Sequence, residues 1–461
     1  YLDPYARGNT ENYISYYKKD LQRNPGNYCE TVEESLAKFP DPGTGNIVPV
    51  GNCRGTQLYT YRLALACTGE YAVAVCSPNP PTIAATAAAI LTTVNRVDGV
   101  YETETSIRMV LVANNNDLIY LDGSSDPYTN ASGTAMLGEN QANINTVIGS
   151  ANYDIGHVVS TGGGGVATLR SPCNNGSKAR GVTGLPNPVG DAFDIDFVAH
   201  EMGHQWGGNH PFNGLNGNCS GGNRNAGTAY EVGSGTTIQA YAGICGSDNI
   251  QPNSDPYFHS VSFDEISVFV EAGGAACRVV TATGNTIPQI TSMSNNGVSI
   301  PISTPFTLSA TASDADGDNI TYNWEEWDLG PATTWNGGNA NTTSPLFKSR
   351  IPKVSGNRTF PDITVIQQNY PVNPAATMGG LKGETLPTRA RPMKFRLTVR
   401  DNRTGGGGVT TGGDGCQTGF TTPFVVNVVG TAPFTVTVPN GGESYEGSTS
   451  QTVTWNVSGT N

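Results

Sequence analysis

Residues 200–210 read His-Glu-Met-Gly-His-Gln-Trp-Gly-Gly-Asn-His. His200 and His204 are four residues apart, so a helix would place both imidazoles on one face. Gly207 allows the chain to turn and to bring His210 back toward them. Three imidazole nitrogens with one open position form the ligand set of a catalytic zinc site. We therefore predict one zinc ion held by His200, His204 and His210.

Glu201 is the candidate general base of this site. It follows the first histidine and can hydrogen-bond a water on the metal without itself binding the metal. Zinc lowers the pKa of water from 15.7 toward about 7 and polarises a carbonyl, so a peptide bond can be hydrolysed at neutral pH with Glu201 moving the proton. The alternative, histidines of the core or surface, requires five fixed positions in eleven to coincide by chance. We expect an endopeptidase acting on proteins or peptides.

These eleven residues resemble the metzincin zinc peptidases. The flanking sequences DIDFVAHEMGHQWGGNHPFNG (194–214) and GGNRNAGTAYE (221–231) are similar to the secreted bacterial reprolysin-like, adamalysin-related branch of that family. The resemblance implies an N-terminal α/β subdomain above the cleft and a small, irregular C-terminal subdomain below it. It also implies a methionine-containing turn beneath the zinc.

The turn aligns with TTIQAYAGICG (236–246), where Gln239 occupies the methionine position. The family's methionine supplies an apolar floor, so we expect Gln239 to alter packing and ligand orientation rather than the mechanism. Tyr241 aligns with a tyrosine that stabilises the oxyanion in astacin-like metzincins. A structural role for Tyr241 remains an equal alternative.

The chain divides into four predicted segments. Residues 55–280 alternate strand and helix patterns, which predicts an α/β catalytic domain with a mixed sheet, beginning with a strand over 58–72. Residues 285–430 carry short alternating runs between Gly, Pro and Asn turns, the pattern of an all-β, immunoglobulin-like sandwich. Residues 431–461 predict the truncated start of a second such module. Residues 1–54 predict a pro-segment remnant or an N-terminal extension.

Composition points to a secreted protein. The net charge of −13, from 25 basic and 38 acidic residues, disfavours nucleic acid as a partner. The longest apolar stretch, residues 82–93, is too short to span a membrane. Nine cysteines without zinc-finger spacing predict disulfides. The predicted sandwich is a candidate for binding a cell surface or a polysaccharide, although its fold does not choose among such partners.

Two further groups of residues invite alternative interpretations. Cys29 or Cys53 could bind zinc as a thiolate and keep the enzyme latent, whereas a disulfide is the favoured fate of each. Asp314, Asp316 and Asp318 offer oxygen ligands for a structural calcium ion, or they belong to an ordinary Asp/Gly turn.

The segment HVVSTGGGG (157–165) resembles the cleft-edge strand that pairs with an extended substrate by β-augmentation. Within it, we expect His157 to be structural. We expect His259 to cap or pack a helix. Two rivals to an active peptidase remain, namely a latent zymogen and a non-catalytic metzincin-fold adhesion or binding protein. The second is motivated by Gln239 and opposed by the intact Glu201.

Overall fold

The computed structural model describes residues 53–369, 382–412, 423–458 and 460. Before residue 53 it describes only three short strands, which are β1 (Leu2–Pro4), β2 (Tyr13–Ser15) and β3 (Cys29–Val32). The strands β1 and β2 form an antiparallel pair.

The α/β region combines strands and helices in alternation. In chain order its elements are β4 (Gln57–Cys67), α1 (Gly69–Cys76), α2 (Ile83–Thr105), β5 (Ile107–Leu111), α3 (Gly133–Val147), β6 (Ile155–Ser160), β7 (Gly165–Thr168), β8 (Gly181–Gly184), α4 (Asp191–Phe193), α5 (His200–Gln205), α6 (Ser260–Glu271) and β9 (Val279–Ala282). The prediction of a strand through residue 72 is wrong at its end. The Thr68 hydroxyl accepts a hydrogen bond from the Tyr71 N–H (3.2 Å) and caps α1, which stops the strand at Cys67.

These strands form a mixed sheet, which confirms the predicted mixed α/β architecture of this region. Its order in the described chain is β3-β7-β8-β6-β4-β5, and β9 pairs with the start of β4. The strands β5, β4, β6 and β8 run parallel to one another, whereas β7 is antiparallel to β8. Strand β7 therefore lies toward the edge, with only β3 beyond it.

Buried apolar side chains fill both faces of this sheet. On one face, residues of β4 such as Tyr61, Leu63 and Leu65 pack against α2 and the histidine helix. On the other face, Met136 and Ile144 of α3 pack against the sheet. The central strand β4 is thus covered on both sides, as expected of a largely parallel sheet. No helix among the described residues has the length and apolarity needed to cross a membrane.

The helix that carries the histidines is interrupted. Between α4 and α5 the residues Asp194–Ala199 form a π-helical segment. The Tyr101 hydroxyl donates to the Ala199 carbonyl (2.7 Å), and the Thr93 hydroxyl donates to Asp194 (2.7 Å), so α2 holds both ends of the segment. Such π-helical insertions are common beside functional sites.

Between α5 and α6 the described chain has turns, isolated bridges and three-residue 3₁₀ segments. Buried carboxylates organise this irregular part. Glu231 accepts from the Thr236 N–H (2.7 Å), and Asp248 accepts from the N–H groups of Leu215 (2.9 Å) and Asn216 (3.1 Å). This matches the irregular lower subdomain that the resemblance implied.

The following region is mostly β-structure. Its elements are β10 (Gln289–Met293), β11 (Val298–Pro301), β12 (Phe306–Leu308), β13 (Ala310–Ser313), β14 (Thr321–Glu326), β15 (Arg358–Phe360), α7 (Ile363–Asn369), β16 (Arg391–Arg400), β17 (Val409–Thr411) and β18 (Phe424–Val429). The described strands β11, β18, β16, β14 and β17 share one sheet, and the pairs β10-β13 and β12-β15 contribute Ile290 and Leu308 to the same core. The immunoglobulin-like class of this region stays a prediction. An exposed pair, β19 (Thr435–Val438) and β20 (Thr454–Asn456), follows it.

Buried charges join the β region to the α/β region. Arg400 pairs with Glu104 (2.7 Å), and Arg396 pairs with Asp264. All four side chains are almost completely buried. Because an unpaired buried charge is costly, these pairs favour one relative placement of the two regions. The exact division of the chain into domains stays a prediction.

Candidate metal centre and catalytic cleft

The three predicted zinc ligands converge. The Nε2 atom of His204 lies 3.0 Å from that of His200 and 3.0 Å from that of His210, and the remaining Nε2–Nε2 distance is 3.3 Å. His200 and His204 share one face of α5, and Gly207, with φ of +100°, turns the chain so that His210 returns to them. All three rings are buried. This is the ligand geometry that the eleven-residue spacing predicts.

Each ring is oriented by its other nitrogen. Each Nδ1 atom lies at hydrogen-bond distance from a backbone carbonyl oxygen. The distance is 2.7 Å from His200 to Ile238, 2.6 Å from His204 to Gly208 and 2.7 Å from His210 to Asn223. A protonated Nδ1 donates to such a carbonyl and leaves the Nε2 lone pair free to bind a metal.

Burial also keeps the rings of His204 and His210 neutral. It lowers the pKa of His204 to about 4, and it lowers the pKa of His210 well below the usual value, with the neighbouring His204 adding to the effect. Neutral imidazole is the form that binds zinc. The residues present therefore fit a zinc ion.

Glu201 lies inside the cleft with its carboxylate fully buried. A Cβ atom at Gly165, the first residue of β7, would lie 1.9 Å from the Glu201 Oε1 atom. A larger residue at this position would therefore displace the carboxylate or the strand. Sequence reasoning noted the glycine run but did not connect it to Glu201, because the contact depends on the register of β7.

Gln239 lies beneath His204 and is completely buried. Its Nε2 atom is 3.3 Å from the Gly208 carbonyl oxygen that also accepts from His204, and 3.2 Å from the His204 Nδ1. A Cβ atom at Gly203 would lie 2.1 Å from the Gln239 Oε1 atom, so that glycine makes space for the amide. Gln239 thus places a polar group where an apolar floor was expected from the resemblance.

Tyr241 packs against the ligands. Its ring centroid is 4.4 Å from that of His210, 5.7 Å from that of His200 and 4.6 Å from that of Phe212. The structure therefore brings Tyr241 to the predicted position beside the site.

The other two histidines are structural. His157 is buried, with its ring nitrogens 2.9 Å from Gln205 and 2.9 Å from Thr183, and burial lowers its pKa to about 4. His259 caps α6, since its Nδ1 accepts from the Val261 N–H (3.1 Å). Both expectations are confirmed.

The candidate calcium ligands lie in the turn between β13 and β14. Carboxylate oxygens of Asp314, Asp316 and Asp318 lie within 4.8 Å of one another. Arg403 already provides a positive charge there, 3.4 Å from Asp316 and 3.7 Å from Asp318. Asp314 accepts from the Asp316 N–H (2.9 Å), as in an ordinary Asx turn. Calcium binding stays a prediction.

The predicted disulfides are present for some of the described cysteines, whereas Cys67 and Cys76 are buried thiols outside any disulfide. Disulfides join Cys173 to Cys277 and Cys219 to Cys245, and Cys53 is also disulfide-bonded. The Cys53 sulfur is therefore not a thiolate available to zinc, and the latency hypothesis is wrong for this residue. The Cys29 side chain lies outside the described residues.

The backbone nevertheless places Cys29 at the cleft. Strand β3 pairs in parallel with β7, and the Cα of Cys29 is opposite that of Gly165, the glycine beside Glu201. The segment 157–165 was predicted to be the cleft-edge strand, but its first four residues belong to β6, which lies between β8 and β4 inside the sheet. Only its last residue, Gly165, belongs to β7, the strand with which the N-terminal segment pairs. Sequence reasoning did not foresee this pairing.

Comparison with known proteins gives one family assignment. Residues 58–267 match the model of the reprolysin-like M12B metallopeptidase family. No curated protein matches the chain. The matched residues include the histidine cluster, Glu201 and Tyr241, and members of this family are zinc endopeptidases. The chain therefore carries, over residues 58–267, a reprolysin-like zinc metallopeptidase domain of the metzincin type.

Proposed function

We propose that this chain is a secreted endopeptidase in which His200, His204 and His210 hold the catalytic zinc and Glu201 is the general base. The convergence of three Nε2 atoms within 3.3 Å of one another, beside a buried carboxylate, is the observation that carries the proposal. A zinc ion there supplies Lewis acidity, which activates water and polarises a carbonyl at neutral pH. Glu201 takes the proton of the attacking water and returns it to the leaving amine.

Tyr241 is proposed to donate a hydrogen bond to the oxyanion that forms on the substrate carbonyl. Its ring lies against His210, which supports this role. Such a donor acts mainly in the transition state, so its loss should lower kcat more than it raises KM.

The substrate is proposed to be a protein or peptide in extended conformation that pairs with the backbone of β7. The position of β7 near the edge of the sheet, with Gly165 beside Glu201, supports β-augmentation. Secretion is supported by the disulfides, which persist in oxidising compartments. Binding of a cell surface or polysaccharide by residues 285–430 also remains a proposal.

A latent form is the second candidate, and one specific observation favours it. Strand β3 pairs with the edge of β7 that faces away from β8, and the parallel register places the Cα of Cys29 opposite that of Gly165. We propose that residues before 54 block substrate and that Cys29 supplies a thiolate to zinc. The non-catalytic adhesion alternative is weakened by the buried Glu201 beside the histidine cluster.

The test uses the purified chain with a library of quenched fluorescent peptides, before and after limited proteolysis near residue 54. We expect hydrolysis that a chelator abolishes, that added zinc restores, and that Glu201→Ala lacks. We expect Cys29→Ala to raise the activity of the uncut chain and to leave the cut enzyme unchanged. An equal rate before and after cutting would reject latency, and no hydrolysis by the cut, zinc-loaded enzyme would favour the adhesion alternative.

A further inference from the structure

The third histidine depends on a loop for its position. His210 lies beyond the end of α5, and its Nδ1 is 2.7 Å from the Asn223 carbonyl oxygen. Asn223 belongs to residues 211–225, here called the ligand loop, whose one helical segment in the described chain is Gly217–Cys219. Regular structure therefore does not fix the carbonyl that orients His210.

Arg224, the next residue, anchors that carbonyl to the β region. Its Nη2 donates to the Gly330 carbonyl (2.7 Å) and to the Asn213 Oδ1 atom (2.8 Å), and its Nε also donates to the Asn213 Oδ1 (3.0 Å). A planar guanidinium that makes three hydrogen bonds has a defined orientation. It therefore restrains the backbone of the neighbouring Asn223.

Asn213 completes the link at the other end of the loop. Its Nδ2 donates to the Pro331 carbonyl (3.1 Å) and to the Thr333 Oγ1 (3.3 Å). The backbone carbonyl of Asn213 accepts a hydrogen bond from the Thr333 N–H (3.1 Å). The segment Gly330–Thr333 is thus bonded to the ligand loop at both Arg224 and Asn213.

A further contact links the neighbouring residue Trp335 to the ligand loop through Asp248. The Trp335 N–H donates to Asp248 (3.2 Å), and the second oxygen of Asp248 accepts from Leu215 and Asn216 of the ligand loop. Asp248 is completely buried, which strengthens these hydrogen bonds. Residues 330–335, here called the strap, therefore contact the ligand loop from the side of the β region.

We infer that the strap positions the third zinc ligand through Arg224, so that the β region contributes to zinc retention. The inference rests on the proposed role of His210 as a ligand. Arg224 is a positioning residue, because it acts through the Asn223 carbonyl. Loss of partners that orient metal ligands typically lowers metal affinity 10–100-fold. Since Arg224 acts one step further from the ring, we expect its loss to lower zinc affinity about tenfold.

The test measures zinc affinity of the full-length chain by competition with a chromophoric chelator, with the absorption spectrum of the cobalt-substituted protein as a second readout. Arg224→Ala should weaken zinc binding about tenfold and change the cobalt spectrum, because His210 is less well oriented. Arg224→Lys should give an intermediate affinity, since it keeps a donor without the planar fork. Thr333→Ala perturbs the strap alone and should weaken binding in the same direction.

The matched control is Tyr257→Phe. It removes the Tyr257–Ser349 hydrogen bond (2.7 Å), which also crosses between the two regions but does not involve the ligand loop. Zinc affinity should stay at the wild-type value. Equal weakening by Tyr257→Phe and Arg224→Ala would mean that general docking, not the strap, supports the metal, and would overturn the inference.

Failure of this inference differs from failure of the proposed function. If the wild type binds zinc tightly and His210→Ala does not, the role of His210 stands, and unchanged affinity in Arg224→Ala rejects only the strap. If Arg224→Ala does not fold, Thr333→Ala decides, and wild-type affinity in that variant rejects the inference. If His210→Ala binds zinc as tightly as the wild type, the proposed ligand set itself is wrong.

Discussion

Gly165→Ala tests whether the position of Glu201 depends on strand β7. The added Cβ would lie 1.9 Å from the Glu201 Oε1 atom, whereas ordinary contact begins at 3.4 Å. The carboxylate must therefore move by about 1.5 Å, or β7 must shift by a similar amount. A displacement of about 1 Å at a catalytic group can cost about 100-fold in rate. We expect kcat/KM to fall about 100-fold, which corresponds to about 2.7 kcal/mol of transition-state stabilisation.

The assay is peptide hydrolysis by enzyme cut near residue 54, with zinc content measured in parallel. Zinc content should not change, because Glu201 is not proposed as a ligand. Gly138→Ala on α3 is the matched control, since a Cβ there meets nothing within 4 Å. Activity of Gly165→Ala within twofold of the wild type would refute this account of the cleft.

Three further predictions concern the oxyanion, the pH dependence and the contact between regions. Tyr241→Phe should lower kcat about 100-fold and leave zinc affinity unchanged, as expected for the loss of one hydrogen-bond donor to the oxyanion. An unchanged kcat would mean that Tyr241 has a structural role only. Although burial alone would raise the pKa of Glu271, the charge of Arg54 and hydrogen bonds lower it from 4.5 to about 2. This carboxylate therefore stabilises the fold above about pH 4.5, and the contribution is lost as the pH falls toward 2. Because Glu271 is half exposed, urea denaturation should show that Glu271→Gln lowers the free energy of unfolding by only about 1 kcal/mol at pH 7 and leaves it unchanged near pH 2. An equal decrease at both pH values would contradict a role for the ionised carboxylate. Arg400→Met should lower the free energy of unfolding by about 3–5 kcal/mol, since it leaves Glu104 buried and unpaired; a loss below about 1 kcal/mol would show that this pair does not join the regions.

The zinc ligands were predictable because they are local in sequence. His200, His204 and His210 lie within eleven residues, so helical periodicity and one glycine turn are enough to bring them together. The mixed sheet was also predictable, from alternating strand and helix patterns. The strand end at Cys67 was missed because the cap at Thr68 outweighed the apolar run that continues past it.

The surroundings of the ligands could not be predicted in the same way. The groups that orient the rings are backbone carbonyls, such as those of Ile238 and Asn223, which carry no side-chain signal. The contact of Gly165 with Glu201 depends on strand register, and the pairing of β3 with β7 joins segments more than 100 residues apart. Arg224 bonds a carbonyl 106 residues away, in another region of the chain. Contacts of this kind follow from tertiary packing.

The most direct test of the central claim compares Glu201→Gln with His210→Ala in one experiment that measures both bound zinc and kcat/KM. Glu201→Gln should bind one zinc ion per chain as tightly as the wild type and lose activity by about 100-fold or more, because only the base is removed. His210→Ala should lose both zinc and activity. The account would be contradicted if Glu201→Gln hydrolysed peptides at the wild-type rate, or if His210→Ala retained zinc with undiminished affinity.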